Sequence, residues 1–180
     1  AFLSERKGQI YILKALDKIR ILHPDIFSLL VLFLVGDGED YDKLKQYCEN
    51  NALSNVIFTG YQANYNDYIS CSDIFLLPSI RGEDMPLAVL SAMNLAKPII
   101  ASNVAGIAEE IEHQISGILL NVEQLDNLYI EIIKLFRDCD LRNFYAANAR
   151  QRFDANFSQP VVYEKIKSLY ASLGLYNKLA

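Results

Sequence analysis

A chain of 180 residues is long enough for one buried core, and 52% hydrophobic with 22% charged residues is the composition of a folded domain, not of a disordered one. A formal charge of −5 argues against a surface built mainly to hold a nucleic-acid backbone, so no nucleic-acid partner is expected. The apolar runs at 29–35 and 74–78 are far shorter than the roughly 20 residues of a membrane helix, and no basic leader with a cleavage site opens the sequence.

Three cysteines, Cys48, Cys71 and Cys139, are odd in number, widely spaced and free of a C-x-x-C pattern. Neither a disulfide framework nor a zinc site is expected of them, but buried or half-buried thiols in a reducing cytoplasm. The opening triplet Ala1-Phe2-Leu3 reads as the end of a strand, and without an initiator methionine the chain is expected to be part of something longer.

In chain order, residues 8–22 carry Ile10, Leu13, Ala15, Leu16 and Ile19 at the spacing of an amphipathic helix, which Pro24 ends. The continuous apolar run 29–35, closed by Gly36-Asp37-Gly38, predicts a strand buried on both faces. A helix over 40–50 follows, then a strand over 56–58 ended by Thr59-Gly60, a short helix over 67–70 and a buried strand over 73–77. Residues 86–95 read as a helix opened by Pro86, 98–102 as a strand and 118–120 as a last short strand. From 125 to 176 the pattern is helical, with Pro160 as the first residue of a terminal helix.

Short apolar strands alternating with helices predict an α/β fold, a Rossmann-like doubly wound parallel sheet flanked by helices, with a C-terminal helical tail. The division expected is one domain over 1–158 and a helical extension over 159–180.

In such sheets ligands sit outside the carboxyl ends of the strands, which singles out four loops. Ser4-Glu5-Arg6-Lys7-Gly8 sets two cations before a helix start, an arrangement for an anion or else a solvated charged turn. Gly36-Asp37-Gly38-Glu39-Asp40 has two glycines of a dinucleotide fingerprint but Tyr41 in place of the third, and a plain turn is the stronger reading. At Thr59-Gly60-Tyr61 the glycine allows close approach and the tyrosine can stack on a flat ligand, or simply cover a surface turn. Arg81-Gly82-Glu83-Asp84-Met85-Pro86 combines a flexible glycine, two carboxylates and the free amides of a helix start. That loop suits a ligand with hydroxyls and an anionic group, while the simpler reading is acidic residues complementing a helix dipole. Neither His23 nor His113 belongs to a ligand cluster, and no serine has the glycines of a hydrolase elbow, so hydrolytic or metal-centred chemistry has no support.

As an ordered set these pieces resemble the C-terminal, donor-binding half of a GT-B glycosyltransferase, of the retaining group often called family 4. The matching residues are Arg6-Lys7-Gly8, Leu34-Val35-Gly36-Asp37-Gly38, Val56-Ile57-Phe58-Thr59-Gly60, Pro78-Ser79 and Gly82-Glu83-Asp84-Met85-Pro86-Leu87. They continue through Ala92-Met93, Lys97-Pro98-Ile99-Ile100-Ala101-Ser102, Val104-Ala105-Gly106, Glu109-Glu110-Ile111 and Gly117-Ile118-Leu119, covering about the first 155 residues.

The resemblance implies transfer of a sugar with retention from a UDP- or GDP-sugar to a saccharide or lipid-linked acceptor in cell-surface polysaccharide or glycoconjugate synthesis, with no other cofactor and no metal. It implies that Lys7 neutralises the donor diphosphate and that Glu83 holds the sugar hydroxyls, the two as catalytic residues. Arg6, Gly36, Gly60, Tyr61, Gly82, Asp84, Met85, Pro86, Leu87 and Ser91 would then bind donor, with Gly60 and Tyr61 beside the nucleobase. An N-terminal domain outside this chain would bring the acceptor, and the full-length enzyme would work in the cytoplasm, with peripheral association at the membrane face. The isolated 180-residue piece would transfer little.

Two positions depart from the family pattern. The second glutamate of the E-x7-E element falls at Ser91, whose single hydroxyl lacks the two-oxygen grip of a carboxylate on a ribose. The family arginine five residues before the lysine falls at Phe2. These departures keep two alternatives in view, a nucleotide-sugar binding module with weakened catalysis and, further off, a nucleotide-sugar epimerase.

Overall fold

A computed structural model describes residues 2–173. The chain enters through a 3₁₀ turn, Glu5–Lys7, into helix α1 (Gln9–Leu22) and the single turn α2 (Pro24–Phe27). Strand and helix then alternate: β1 (Leu32–Val35), α3 (Tyr41–Asn50), β2 (Val56–Gly60), α4 (Tyr65–Cys71), β3 (Phe75–Leu77), α5 (Leu87–Asn94), β4 (Ile99–Ser102), α6 (Ile107–Glu110) and β5 (Ile118–Leu120). A second 3₁₀ segment, Val122–Asn127, leads to α7 (Leu128–Arg137), α8 (Cys139–Asn156) and α9 (Gln159–Ser172).

All three strand pairings within the ladders are parallel: β1 with β2, β3 with β4, and β4 with β5. Each connection from one strand to the next carries a helix, as parallel strands require. The ladders form two groups, β2-β1 and β3-β4-β5, with no ladder joining β1 to β3 among the described residues.

The helices cover both faces. On one side α1 buries Ile12, Leu13, Ala15, Leu16 and Ile19, a stripe at three- and four-residue spacing, against Leu34, Ile100, Ile118 and the inner face of α7. On the other side Val89, Ala92 and Met93 of α5 pack with Ile99, Ala101, Ile107 and Ala149 of α8. Strand β4 shows why: its four residues are all buried, with Ile100 facing one cluster and Ile99 and Ala101 the other. Full burial of one such aliphatic side chain stabilises by about 1.5–3 kcal/mol, so this central strand anchors both halves of the core.

The predicted strands and helices are present, with differences that have physical causes. The run 29–35 was expected to be buried on both faces; only 32–35 is strand, and Leu29 (71%), Val31 (59%) and Phe33 (41%) are exposed. Residues 28–30 finish the turn after α2, with Leu29 and Leu30 amides donating to Ile26 and Phe27 carbonyls, and among the described residues β1 has a ladder partner, β2, on one side only. Residues 2 and 3 are not strand. Pro86 does not begin α5 but caps it in extended backbone (φ −72, ψ 110), so the helix starts at Leu87. Pro160 is the second residue of α9, after Gln159. Cys48 is buried as expected, whereas Cys71 and Cys139 are exposed at the end and start of their helices. The expected helical positions 174–176 lie outside the described residues. No helix among the described residues is long and apolar enough to cross a membrane.

Candidate functional site

Five of the loops that matter gather at the carboxyl ends of the strands. The segment 4–8 lies across the loop after β3: the Ile80 amide donates to the Arg6 carbonyl at 2.8 Å. Gly8 sits in left-handed backbone (φ 67), and a Cβ there would lie 2.0 Å from the Pro78 carbonyl oxygen. Only glycine permits that approach. Lys7 and Arg6 are thereby held over the 82–84 loop.

Glu83 is the centre of the arrangement. It is 5% exposed, and its Oε1 pairs with the Lys7 ammonium, accepts from Ser79 Oγ at 2.9 Å and lies 3.4 Å from Arg6 Nη1. Arg6 Nη1 also donates to the Gly82 carbonyl. Two cations against one carboxylate leave a surplus positive charge at the site, and Arg6 keeps part of its guanidinium in solvent. An incoming anion therefore meets uncompensated charge in a partly desolvated place, where Coulomb attraction is several times stronger than in water.

The loop that carries Glu83 is fixed from the other side by α6. The Gly106 amide donates to the Glu83 carbonyl at 2.9 Å, and a Cβ on Gly106 would fall 1.2 Å from the Asp84 carbonyl oxygen. Beyond this loop, α5 begins with no side-chain cap, leaving first-turn amides for a ligand or water. Met85 (48% exposed) and Leu87 (71%) flank that start.

A second recess lies beside the first. Phe2, Gly36, Asp37, Gly38, Tyr61, Gln62 and Tyr65 enclose an open cavity of about 720 Å³. Gly36 and Gly60 are joined by an amide-to-carbonyl bond of 2.9 Å, and Tyr61 stands 80% exposed at the rim, an aromatic face available for stacking. Phe2 belongs to this recess. Ser91 Oγ lies 3.4 Å from the Tyr65 hydroxyl.

The structure thus brings together Arg6, Lys7, Gly82 and Glu83 in one cluster, and Gly36, Gly60 and Tyr61 in its neighbour. Asp84, Met85, Pro86 and Leu87 form the rim between loop and helix, while Ser91 sits a turn further along α5. Sequence reasoning missed three participants. Ser79, fully buried, is a hydroxyl at a strand end four residues before the key carboxylate, a signal that was available. Tyr65 opens α4 two residues before the expected start. Glu110 is 0% exposed, and neither carboxyl oxygen has a hydrogen-bond partner. Burial first, and the charge of Glu83 second, push its pKa up to about 8. Its spacing of three from Ile107 puts it on the apolar side of α6, which the pattern could have shown. Among the described residues no cluster of His, Cys, Asp and Glu could hold a metal ion.

An open parallel sheet with surplus cationic charge, a buried carboxylate and an uncapped helix at its strand ends is the arrangement of an α/β domain suited to an anionic ligand. The chain belongs to the glycosyl transferases group 1 family, whose model matches residues 1–152. An uncharacterized glycosyltransferase of Methanocaldococcus jannaschii is 29% identical, the match covering 92% of this chain and 44% of the relative. A protein of Escherichia coli named UDP-Gal:alpha-D-GlcNAc-diphosphoundecaprenol alpha-1,3-galactosyltransferase is 27% identical, over 95% of this chain and 44% of its own length. The crystal structure of Anabaena HepE in complex with UDP-glucose superposes with a TM-score of 0.84 at 26% identity, covering 96% of this chain and 47% of that one. The chain thus spans under half the length of these proteins. Its architecture is one half of a GT-B fold.

Proposed function

We propose that this chain is the donor-binding, C-terminal half of a retaining, family 4 type glycosyltransferase that takes sugar from a UDP-sugar. The observation that carries the reading is the Arg6, Lys7 and Glu83 cluster beside the uncapped start of α5. Lys7, with Arg6, neutralises the diphosphate as the sugar leaves, where stabilising developing charge is usually the largest catalytic effect. Glu83 faces the sugar hydroxyls, the amides from Met85 to Leu87 meet sugar and phosphate, and Tyr61 with Gly36 and Gly60 borders the nucleobase. The UDP-glucose complex of the similar Anabaena protein supports uridine over guanosine. The name of the similar Escherichia coli protein supports a saccharide on a lipid diphosphate as acceptor.

On this reading residues 1–158 are the nucleotide-sugar domain, 159–180 an extension, and a separate N-terminal domain supplies the acceptor site at the cytoplasmic face of a membrane. Ser91 beside Tyr65 favours a second reading, a donor-binding module with reduced turnover. Thermal unfolding in the presence of UDP, UDP-glucose, UDP-galactose, UDP-N-acetylglucosamine or GDP-mannose tests the assignment. A ligand at a hundred times its Kd stabilises by about 2.7 kcal/mol, which raises Tm by roughly 5–10 °C in a domain of this size. A concentration-dependent rise with the uridine nucleotides is expected. A rise with GDP-mannose alone would replace uridine by guanosine, and no rise with any of them would sink the donor-domain reading.

A further inference from the structure

Behind the carboxylate that receives Lys7 and Arg6 lies a second one that receives nothing. Glu110, the last residue of α6, is 0% exposed, and neither of its carboxyl oxygens has a hydrogen-bond partner. Two backbone hydrogen bonds tie it to the site: the Glu110 amide donates to the Gly106 carbonyl at 3.3 Å, and the Gly106 amide donates to the Glu83 carbonyl at 2.9 Å. One helical turn is all the backbone that stands between the Glu83 loop and Glu110.

The groups that face α6 from its neighbours bring this carboxyl no counter-ion. Helix α5, which shares the cluster of Val89, Met93, Ile107 and Ile111 with α6, has no ionisable side chain from Leu87 to Asn94. From α8 comes Arg152, whose Nε and Nη2 donate to the Glu110 and Glu109 carbonyls and whose Nη1 lies 3.5 Å from Glu112 Oε2. Glu109 beside it and Glu112 after it are exposed, as is Asp84 in the loop before α5. That loop also brings Glu83, on whose Oε1 Lys7, Arg6 and Ser79 converge. An unpaired carboxylate in such surroundings takes a proton in preference to staying ionised. Burial first, and the charge of Glu83 second, raise the pKa of Glu110 to about 8, so near neutral pH it is an uncharged acid.

We propose that Glu110 is a positioning residue of the anion site, which must hold its proton for the cluster of Lys7, Arg6 and Glu83 to take a diphosphate. On the donor-binding reading, on which this rests, the diphosphate draws Lys7 from Glu83 and adds negative charge of its own. With Glu110 neutral, the site sets two cations against one buried carboxylate. With Glu110 ionised, two buried carboxylates cancel the two cations, and the surplus charge that attracts an anion is gone. Charges in partly desolvated places act several times more strongly than in bulk water, so the loss is felt at the phosphates. The sign follows: below about pH 8 the acid is neutral and affinity is full, and as pH rises through that value Glu110 ionises and affinity falls. By reciprocity a bound diphosphate makes Glu110 hold its proton more firmly, so binding near pH 8 draws protons from solution.

Isothermal titration with UDP tests this on the wild type and on Glu110→Gln, which keeps the shape of the side chain without its charge. At pH 8, in two buffers of different ionisation enthalpy, the wild type is expected to take up roughly 0.2–0.5 proton more per UDP bound than the variant. From pH 7 to pH 9 the affinity of the wild type is expected to fall about threefold or more beyond any fall in the variant. The titrations of UDP and of the other groups around the site are common to both proteins, so the difference isolates Glu110. A merely structural role would change affinity alike at every pH and leave the proton count alone. Should a buried amide prevent folding, Glu110→Met, suited to the apolar side of α6, gives the same comparison. Equal proton uptake with parallel pH profiles overturns the proposal, as does a wild type that takes up no proton at pH 8. Absence of UDP binding by the wild type at pH 7 strikes the donor-binding reading and this proposal with it, whereas binding with parallel profiles strikes this proposal alone.

Discussion

Lys7 and Glu83 show how much one pair governs. The ammonium and the carboxylate are nearly withdrawn from water, and removing one partner of such a pair typically costs about 3–5 kcal/mol because the other is left buried and charged. Arg6 and Ser79 remain on Glu83, so Lys7→Ala is expected to cost about 2 kcal/mol of stability, below that range. In the full-length enzyme the same change is expected to cut kcat more than donor affinity; unchanged kcat would remove Lys7 from the mechanism. Glu110 carries a second consequence. Its carboxyl is neutral in the folded protein up to about pH 8, while in the unfolded chain it ionises near 4.5. Below pH 4.5 both states hold the proton and the group has no effect. As pH rises from 4.5 to about 8 the unfolded state alone loses it, and stability falls by up to ~1.4 kcal/mol per pH unit. Glu110→Gln should flatten that slope in urea unfolding at pH 5, 6.5 and 8. Parallel slopes for the two proteins would show that Glu110 is ionised when folded.

At the scale of elements, the site depends on how turns lean on one another. The α6 turn reaches the Glu83 loop through Gly106, and α8 holds α6 from behind, with Arg152 donating to the Glu109 and Glu110 carbonyls at 2.8 and 2.7 Å. Gly106→Ala is expected to push the 83–84 loop off α6 and destabilise by 3 kcal/mol or more, roughly the cost of gross overpacking. A change below about 1 kcal/mol in chemical unfolding would show that the loop yields freely. Which of these elements a reader of the sequence could see follows from their physics. The runs that became β4 and β5 were plain because both their faces are covered, so all their residues but Ser102 are apolar. The edge of 29–35 was not, since Leu29 and Val31 are as apolar as core residues yet serve a turn and an open edge. Lys7 and Glu83 were visible as residue types in loops at the strand ends. Their direct pairing was not, because a contact across 76 positions leaves no local trace.

For the molecule as a whole, two facts pull in opposite directions. The chain carries a net −5, yet Arg6 and Lys7 set surplus positive charge at the strand ends, so an anion is repelled by the chain's net charge and attracted at that place. Such a field favours entry from the carboxyl-end side and discourages unspecific anion binding elsewhere. The two hydrophobic clusters are joined through strand β4 and through α8, whose Tyr145 belongs to one and Ala149 to the other, while α9 contributes no buried side chain.

The mutual satisfaction of Lys7 and Glu83 also changes what binding means for any diphosphate. The cation is not idle before the ligand arrives; it already has an internal counter-ion. On the proposed function, capture is an ion exchange within the protein, in which phosphate takes over the ammonium and the displaced carboxylate turns to a hydroxyl. A ligand offering only the phosphate breaks one pair to make another, whereas a ligand offering phosphate and hydroxyl together leaves every group with a partner.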